Sequence, residues 1–367
     1  MLKVQHFQVF SLFTLYLVSS FVAFLVGLFI DQGQFSTPVG SLLGGVATLL
    51  LIYPAYKVTL ARPHQFIAQY GHQLVGKVPH LIFMYIIIIV ALILATSNLR
   101  ELADFLILVY LSGTPEWVIV GTFGLCIVYA IRSGIPTIFR AAQGIFIISI
   151  GAFLIFPVLV KREVEYNRLP AMFTHLNLHQ VLTGAFNMTT LFGAFSFLFL
   201  VIPYLQSPEK TYRTLLSTTL TSLIIIMAHL IPILLIFGPD LASNLTYPDL
   251  ELIRSMRAGS FIETLDPVLM ILWLICLYVK ISFILYIAVI CLTHITGMTD
   301  PRPLCLPSTA FCCILSIYFA RSQPELNQFM IGGLPPLLFS VEFLIPTVYW
   351  ISHLVRKDPS YSKGPPN

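Results

Sequence analysis

Long apolar runs, separated by short clusters of turn and charged residues, occupy the chain from end to end. A run of about 20 apolar residues reads as a membrane-crossing helix, because at about 1.5 Å per residue it matches a hydrocarbon core of about 30 Å. On that measure helices are expected near 8 to 30, 38 to 60, 80 to 111, 116 to 133 and 138 to 161. A second set is expected near 181 to 204, 212 to 238, 262 to 292, 303 to 321 and 330 to 355. The gaps carry turn chemistry, as in Gly113-Thr114-Pro115, Ser133-Gly134-Ile135-Pro136, Gly238-Pro239-Asp240 and Asp300-Pro301-Arg302-Pro303. The first run is longer than the core of a secretion signal and lacks a small-x-small cleavage site, so it is read as a true span. The pattern predicts an all-α polytopic membrane protein with about ten transmembrane helices in residues 1–356, followed by a short polar tail, 357–367, too poor in apolar residues to fold.

Composition agrees with lipid as the solvent. Of the 367 residues 57% are hydrophobic and 10% charged, against about 25% charged in ordinary soluble domains, and the mean hydropathy is +0.89. The runs are too long and unbroken for barrel strands, which leaves helices as the way to satisfy the backbone in a bilayer. The net charge of +4 is spread thinly rather than gathered into a nucleic-acid patch, so nucleic acid is not an expected partner. An even number of spans puts both termini on one side. Loops on that side hold twelve basic residues and loops on the other hold six, which predicts cytoplasmic termini. Two more, Arg100 and Lys280, fall within spans. The cysteines, Cys126, Cys276, Cys291, Cys305, Cys312 and Cys313, lie in or beside apolar runs and read as free thiols.

Motifs of soluble enzymes are not supported. Gly71-His72-Gln73-Leu74-Val75-Gly76-Lys77 has the spacing of a phosphate-binding loop, but Val78 and Pro79 follow where a magnesium-binding hydroxyl belongs, and no βαβ pattern surrounds it. Cys291 with His294, and Cys312 with Cys313, lack the four-ligand spacing of a zinc site. No nucleophile elbow supports a Ser-His-Asp arrangement. Neither an enzyme activity, a cofactor nor a metal is expected.

The strongest signal is Lys280, deep in the eighth span. A lysine at mid-membrane costs about 2.5–3.5 kcal/mol even on lenient insertion scales, so it should face a polar cavity or partner, as a functional group or as a structural cation tying helices together. The second signal is a matched pair of weak points, Ser19-Ser20 midway through span one and Gly193-Ala194-Phe195-Ser196 midway through span six, five spans later. Such points are where the helices of inverted-repeat transporters unwind and offer helix termini to a substrate, or where small residues let helices pack closely. On span three, Arg100 and Asp104 are spaced i, i+4 and are expected to pair, with Glu101 between them. Glu342 in span ten and His229 in span seven could be relay groups, but isolated polar residues facing a bundle interior are more often simply hydrogen-bonded.

In this order the motifs resemble the B-subunit family of GerA-type spore germinant receptors, related to the amino acid-polyamine-organocation transporters. The resemblance runs nearly end to end. It includes Phe7-Gln8, Gly76-Lys77, Leu99-Arg100-Glu101, Thr114-Pro115, Gly134, Arg140, Asn167-Arg168-Leu169-Pro170 and Pro203. It is most specific at Tyr247-Pro248, Gly259-Ser260-Phe261-Ile262-Glu263-Thr264-Leu265-Asp266, Trp273 and Val279-Lys280-Ile281-Ser282. Thr264 departs from the family, which carries arginine there, and this removes the ground for a salt bridge made by that arginine.

The resemblance implies two inverted five-helix repeats of the LeuT-like kind, about 8–161 and 181–355, with a germinant pocket between spans one, three, six and eight. Carried onto this chain, the pocket is lined by Ser19, Ser20, Val90, Leu94, Ala194, Phe195, Lys280 and Ile284. In the related sodium-coupled transporters a sodium ion sits between spans one and eight, so the Lys280 ammonium would replace that cation. The implied function is a receptor subunit of the spore inner membrane that binds a small nutrient germinant, an amino acid, and signals through an A-type membrane subunit and a C-type lipoprotein subunit. A proton-coupled amino acid permease, using Lys280 or Asp104, is the competing reading.

Overall fold

The computed structural model describes residues 3–255 and 265–356. The tail 357–367 and the Gly259-to-Thr264 part of the family signature lie outside the described residues. Among the described residues, ten helical spans follow the apolar runs. Span one is a helix, His6–Ser20, that passes through a π-turn, Phe21–Leu25, into a second helix, Val26–Gly33. Span two is Thr37–Leu51 with Tyr53–Leu60, span three Lys77–Val109, span four Glu116–Arg132 and span five Ile135–Val160. Span six is Leu178–Gly193 with Phe195–Phe199, span seven Thr211–Asn244, span eight Leu265–Ile295 and span nine Arg302–Tyr318. Span ten runs from Gln323–Gln328 through two π-turns, Phe329–Gly333 and Ser340–Leu344, to Ile345–Arg356.

Local chemistry places the ends. The Gln8 side chain accepts from the Gln5 backbone N–H at 2.9 Å, closing the first turn of span one. Asn177 caps span six by accepting from His179 N–H at 2.9 Å. Span seven continues past the expected stop at 238 only nominally, because Gly238 (φ 72°, ψ 169°) breaks it there. The Arg168 guanidinium donates to the carbonyls of Leu235 (3.2 Å) and Ile236 (2.7 Å), meeting the acceptors that the break strands. Span ten begins earlier than its apolar run, because Ser322 caps the polar turn Gln323–Gln328.

By length and composition seven helical stretches among the described residues can cross a membrane unaided. Spans four and nine are shorter, at 17 residues each, and span one is divided by its π-turn. The protein is an all-α, multi-pass membrane protein. Burial distinguishes centre from rim: the apolar window of span eight is 83% buried, that of span five 33%. On the rim, Leu42, Leu43, Val46 and Leu50 point outward, as lipid-facing residues do.

Packing partners come in pairs related by a shift of five spans. Span two packs on span six, and span seven on span one; span five packs on span one, and span ten on span six; spans three and eight, and four and nine, pack on each other. A repeat of five spans has an odd number of crossings, so its second copy is inverted, and this pairing is that of two interlocked inverted repeats. Spans two and six approach closely at Gly40 and Gly44, where a Cβ would lie 2.8 Å from Val181 O and 2.7 Å from Met188 Cβ respectively.

Candidate ligand site

Both weak points in the sequence coincide with irregular backbone. In span one the α-helix ends at Ser20, and the π-turn follows at once. In span six it ends at Gly193, Ala194 turns (φ −50°, ψ −20°), and a short helix resumes at Phe195. Neither break opens into extended chain. Span one keeps helical dihedrals at Ser20 (φ −68°, ψ −44°), and the Ser20 hydroxyl donates to Tyr16 O, so the breaks offer a widened turn rather than two free helix ends. Trp273 of span eight donates its indole N–H to the Ser19 carbonyl at 3.1 Å and packs edge-on to Phe24 and Phe105, bracing the break in span one.

A cavity of about 60 Å³ lies between these breaks. Spans one (Tyr16, Ser20, Leu25, Leu28, Phe29), three (Leu94, Asn98), six (Asn187, Thr190, Leu191, Ala194) and eight (Lys280) line it. Span ten, which the sequence reading left out, supplies the remaining wall: Met330, Ile331, Leu334, Pro335, Leu338 and Glu342. Of the eight residues expected from sequence, Ser20, Leu94, Ala194 and Lys280 line this cavity. Ser19, Val90, Phe195 and Ile284 are buried but do not line it. Phe195 instead packs edge-on against Phe13 and Phe192.

Polar groups in the cavity are unevenly met. Lys280 is 5% exposed, and its Nζ lies 5.3 Å from the Tyr16 ring centroid, an ammonium over an aromatic face that links span eight to span one. Glu101, on span three, is buried as well. Glu342 is 1% exposed, and neither of its carboxylate oxygens has a hydrogen-bond partner. It stands on the π-turn Ser340–Leu344 and presses against Gly193, where a Cβ would lie 2.7 Å from its carboxyl carbon. Its backbone carbonyl accepts from the Ser196 hydroxyl, so span ten is tied to span six at the break. Asn98 donates its amide N–H to Leu94 O, which fixes the amide's orientation and leaves Oδ1 buried without a donor.

The other charged residues singled out in the sequence are paired. Arg100 donates to Asp104 (2.9 Å), to Glu116 (3.0 Å) and to Ile317 O (3.2 Å), joining spans three, four and nine. His229 on span seven meets Asp249 at 2.7 Å, and its other ring nitrogen meets Phe153 O at 3.0 Å. Gly71 of the false phosphate loop lies inside a helix, Ile67–Val75, where a Cβ would lie 2.7 Å from His80 Nδ1, so the segment packs a helix and cradles no anion. All six cysteines are free thiols. Among the described residues no cluster of three or more His, Cys, Asp or Glu could hold a metal ion.

The fold is shared with solved transporters. A Na+-coupled sialic acid symporter in a substrate-bound outward-open state matches 91% of this chain and 79% of its own, with a TM-score of 0.63 at 12% identity. A nucleobase-cation-symport-1 family transporter, in a closed conformation with bromovinylhydantoin bound, matches 99% and 82%, with a TM-score of 0.63 at 14% identity. Similar sequences come from Bacillus species. Spore germination protein YndE of Bacillus subtilis (strain 168) is 24% identical over 298 residues, 80% of each chain, and spore germination protein KB of the same strain is 24% identical over 297 residues, 79% of each. Spore germination protein XB of Bacillus anthracis is 24% identical over 276 residues, 73% of this chain and 75% of its own. The family model for spore germination proteins matches residues 3–324, and the chain belongs to that family.

Proposed function

We propose that the chain is the nutrient-binding B-type subunit of a spore germinant receptor, and that a small amino acid occupies the cavity between spans one, three, six, eight and ten. The observation that carries this reading is the cavity itself: it lies where spans one and six break, and it is lined by Lys280, Ser20, Leu94 and Ala194. Ligands of inverted-repeat transporters bind at such breaks. The ligand carboxylate meets Lys280 and the widened turn of span one, and its side chain meets the apolar wall. Binding shifts the two repeats, about 8–161 and 181–355, between two packings. The shift passes to A-type and C-type subunits in the spore inner membrane, with both termini in the cytoplasm, and the chain catalyses no reaction itself.

The transporter fold supports a second reading, an amino acid permease. Two measurements separate them. Spores carrying Ala194→Leu, which fills the cavity, are expected to lose or change their nutrient response. Proteoliposomes holding the chain alone are expected to show no saturable amino acid uptake. Saturable accumulation by the chain alone overturns the receptor reading in favour of transport, and an unchanged nutrient response in the Ala194→Leu spores overturns the pocket.

A further inference from the structure

Around the cavity, three buried acceptor atoms stand without a donor. Glu342 Oε1 and Oε2 and Asn98 Oδ1 are all buried, all belong to residues that line the cavity, and none has a hydrogen-bond partner. Buried polar atoms are rarely left without a partner, so a carboxyl with both oxygens bare is a site awaiting a donor. Lys280 Nζ lies over the Tyr16 ring of span one, whereas neither oxygen of the Glu342 carboxyl meets a donor. The backbone has also been shaped for this carboxylate: a π-turn carries it, and Gly193, which has no side chain, leaves room for it.

We propose that Glu342 is the ammonium-binding group of the pocket, with Asn98 Oδ1 as a further acceptor. The ligand is then a small zwitterion, its ammonium at Glu342 and its carboxylate toward Lys280. An ammonium carries three donors and no acceptor, which matches three bare acceptors on two residues. Size follows from the cavity. About 60 Å³ is roughly the space of four to six waters at about 10–15 Å³ each, which fits an amino acid with a side chain no larger than that of alanine or serine. This inference rests on the reading of the cavity as the ligand pocket and adds the chemical group that recognises the ligand's amine.

The test is isothermal titration of the full-length chain in lipid nanodiscs with glycine, L-alanine and L-serine, each compared with its desamino acid: acetate, propionate and 3-hydroxypropionate. Wild type is expected to bind at least one amino acid about 10- to 100-fold more tightly than its desamino acid, the range for one charge-assisted hydrogen-bonded contact. Glu342→Gln is expected to abolish that preference and to leave desamino-acid binding within about threefold of wild type. Gly193→Ala, which displaces the carboxylate from the opposite span, is expected to weaken the amino acid in the same direction. Equal binding of an amino acid and its desamino acid by wild type overturns the proposal without any variant having to fold. So does full amino acid preference in a folded, monodisperse Glu342→Gln. If wild type binds amino acids and Ala194→Leu does not, yet Glu342→Gln is unaffected, this inference falls and the pocket reading stands. If wild type binds none of the six compounds, both fall.

Discussion

Replacing Gly44 by alanine tests the close contact that holds span six beside the cavity. The added Cβ would lie 2.7 Å from Met188 Cβ, closer still to the Ala185 carbonyl, and short of the 3.4 Å at which ordinary contact begins. Spans two and six must therefore part by at least about 0.7 Å at this level, the difference of those two distances. Two hydrogen bonds cross the same contact, Thr48 Oγ1 to Thr189 O and Thr189 Oγ1 to Gly44 O, each 3.2 Å, and that separation carries both beyond useful length. Overpacking costs about 1–3 kcal/mol, and interhelical hydrogen bonds in membranes contribute about 0.6 kcal/mol each. Alanine returns about 0.5–1 kcal/mol of helix propensity. The net expectation is a loss of about 2 kcal/mol, near thirtyfold in the unfolding equilibrium. Denaturant titration of the purified chain in mixed micelles measures it, with Gly121→Ala as control. Gly121 has nothing within 4 Å of its would-be Cβ, so alanine there is expected to be neutral or stabilising by up to about 1 kcal/mol. A Gly44→Ala protein as stable as Gly121→Ala would refute the close-packing argument.

Other substitutions probe separate groups. Lys280→Ala is expected to abolish the nutrient response of spores while Lys280→Arg keeps part of it, since charge over Tyr16 is what matters; equal, undiminished responses in both would sink that role. Arg100→Met strands two carboxylates that are only 19% and 22% exposed and is expected to cost about 3 kcal/mol, whereas Asp104→Asn, which leaves Arg100 its bonds to Glu116 and Ile317 O, should cost about 1 kcal/mol. Equal losses in the same micelle titration would contradict that network. Asp249 lies in the connection between spans seven and eight, where burial raises its carboxyl above the usual range and the His229 bond opposes the rise. The folded chain then holds a proton that the unfolded chain releases, so its contribution to stability falls as pH rises from the ordinary carboxylate range through the raised value. Asp249→Asn is expected to flatten that slope in stability measured across pH, and an unchanged slope would assign it elsewhere.

The helices were legible because lipid imposes one rule: every buried backbone group must be bonded within its own segment. Runs of about 20 apolar residues therefore mark spans whatever their tertiary role. Boundaries were legible where backbone chemistry is strict, as at Gly238, whose positive φ ends span seven where Gly238-Pro239 predicts a stop. They were less so where a polar turn was capped onto an apolar run, as at Ser322 before span ten. The Arg100–Asp104 pair follows from i, i+4 spacing alone, but Glu116 and Ile317 O, the other partners of Arg100, are contacts between spans that no spacing encodes. The close approach at Gly40 and Gly44 was not among the expectations; their i, i+4 spacing is the signal that marks it, whereas its partner surface, Val181 to Met188, leaves none.

The site divides along the same line, and the division explains why Glu342 was not among the expected lining residues. Lys280 stands out in the sequence because its position in the middle of a span makes its cost visible without knowing its neighbours. Glu342 is just as deep, yet among the prolines and short polar stretch of span ten it reads as one isolated polar residue of a kind that finds a hydrogen bond. Its significance lies in what it lacks, and the absence of a partner is a property of three dimensions. A readable trace remains in its partner: Gly193, at the weak point of span six, was noticed as a place where a helix could unwind. The glycine does mark the break, but its physical demand is space for the Glu342 carboxylate, so the weak point in span six and the charge in span ten are two halves of one feature. Asn98, one turn from Glu101 on span three, completes the acceptor set from a third direction. In the proposed pocket, the bare Glu342 carboxyl and the Lys280 ammonium are the two polar groups between which a zwitterion would lie.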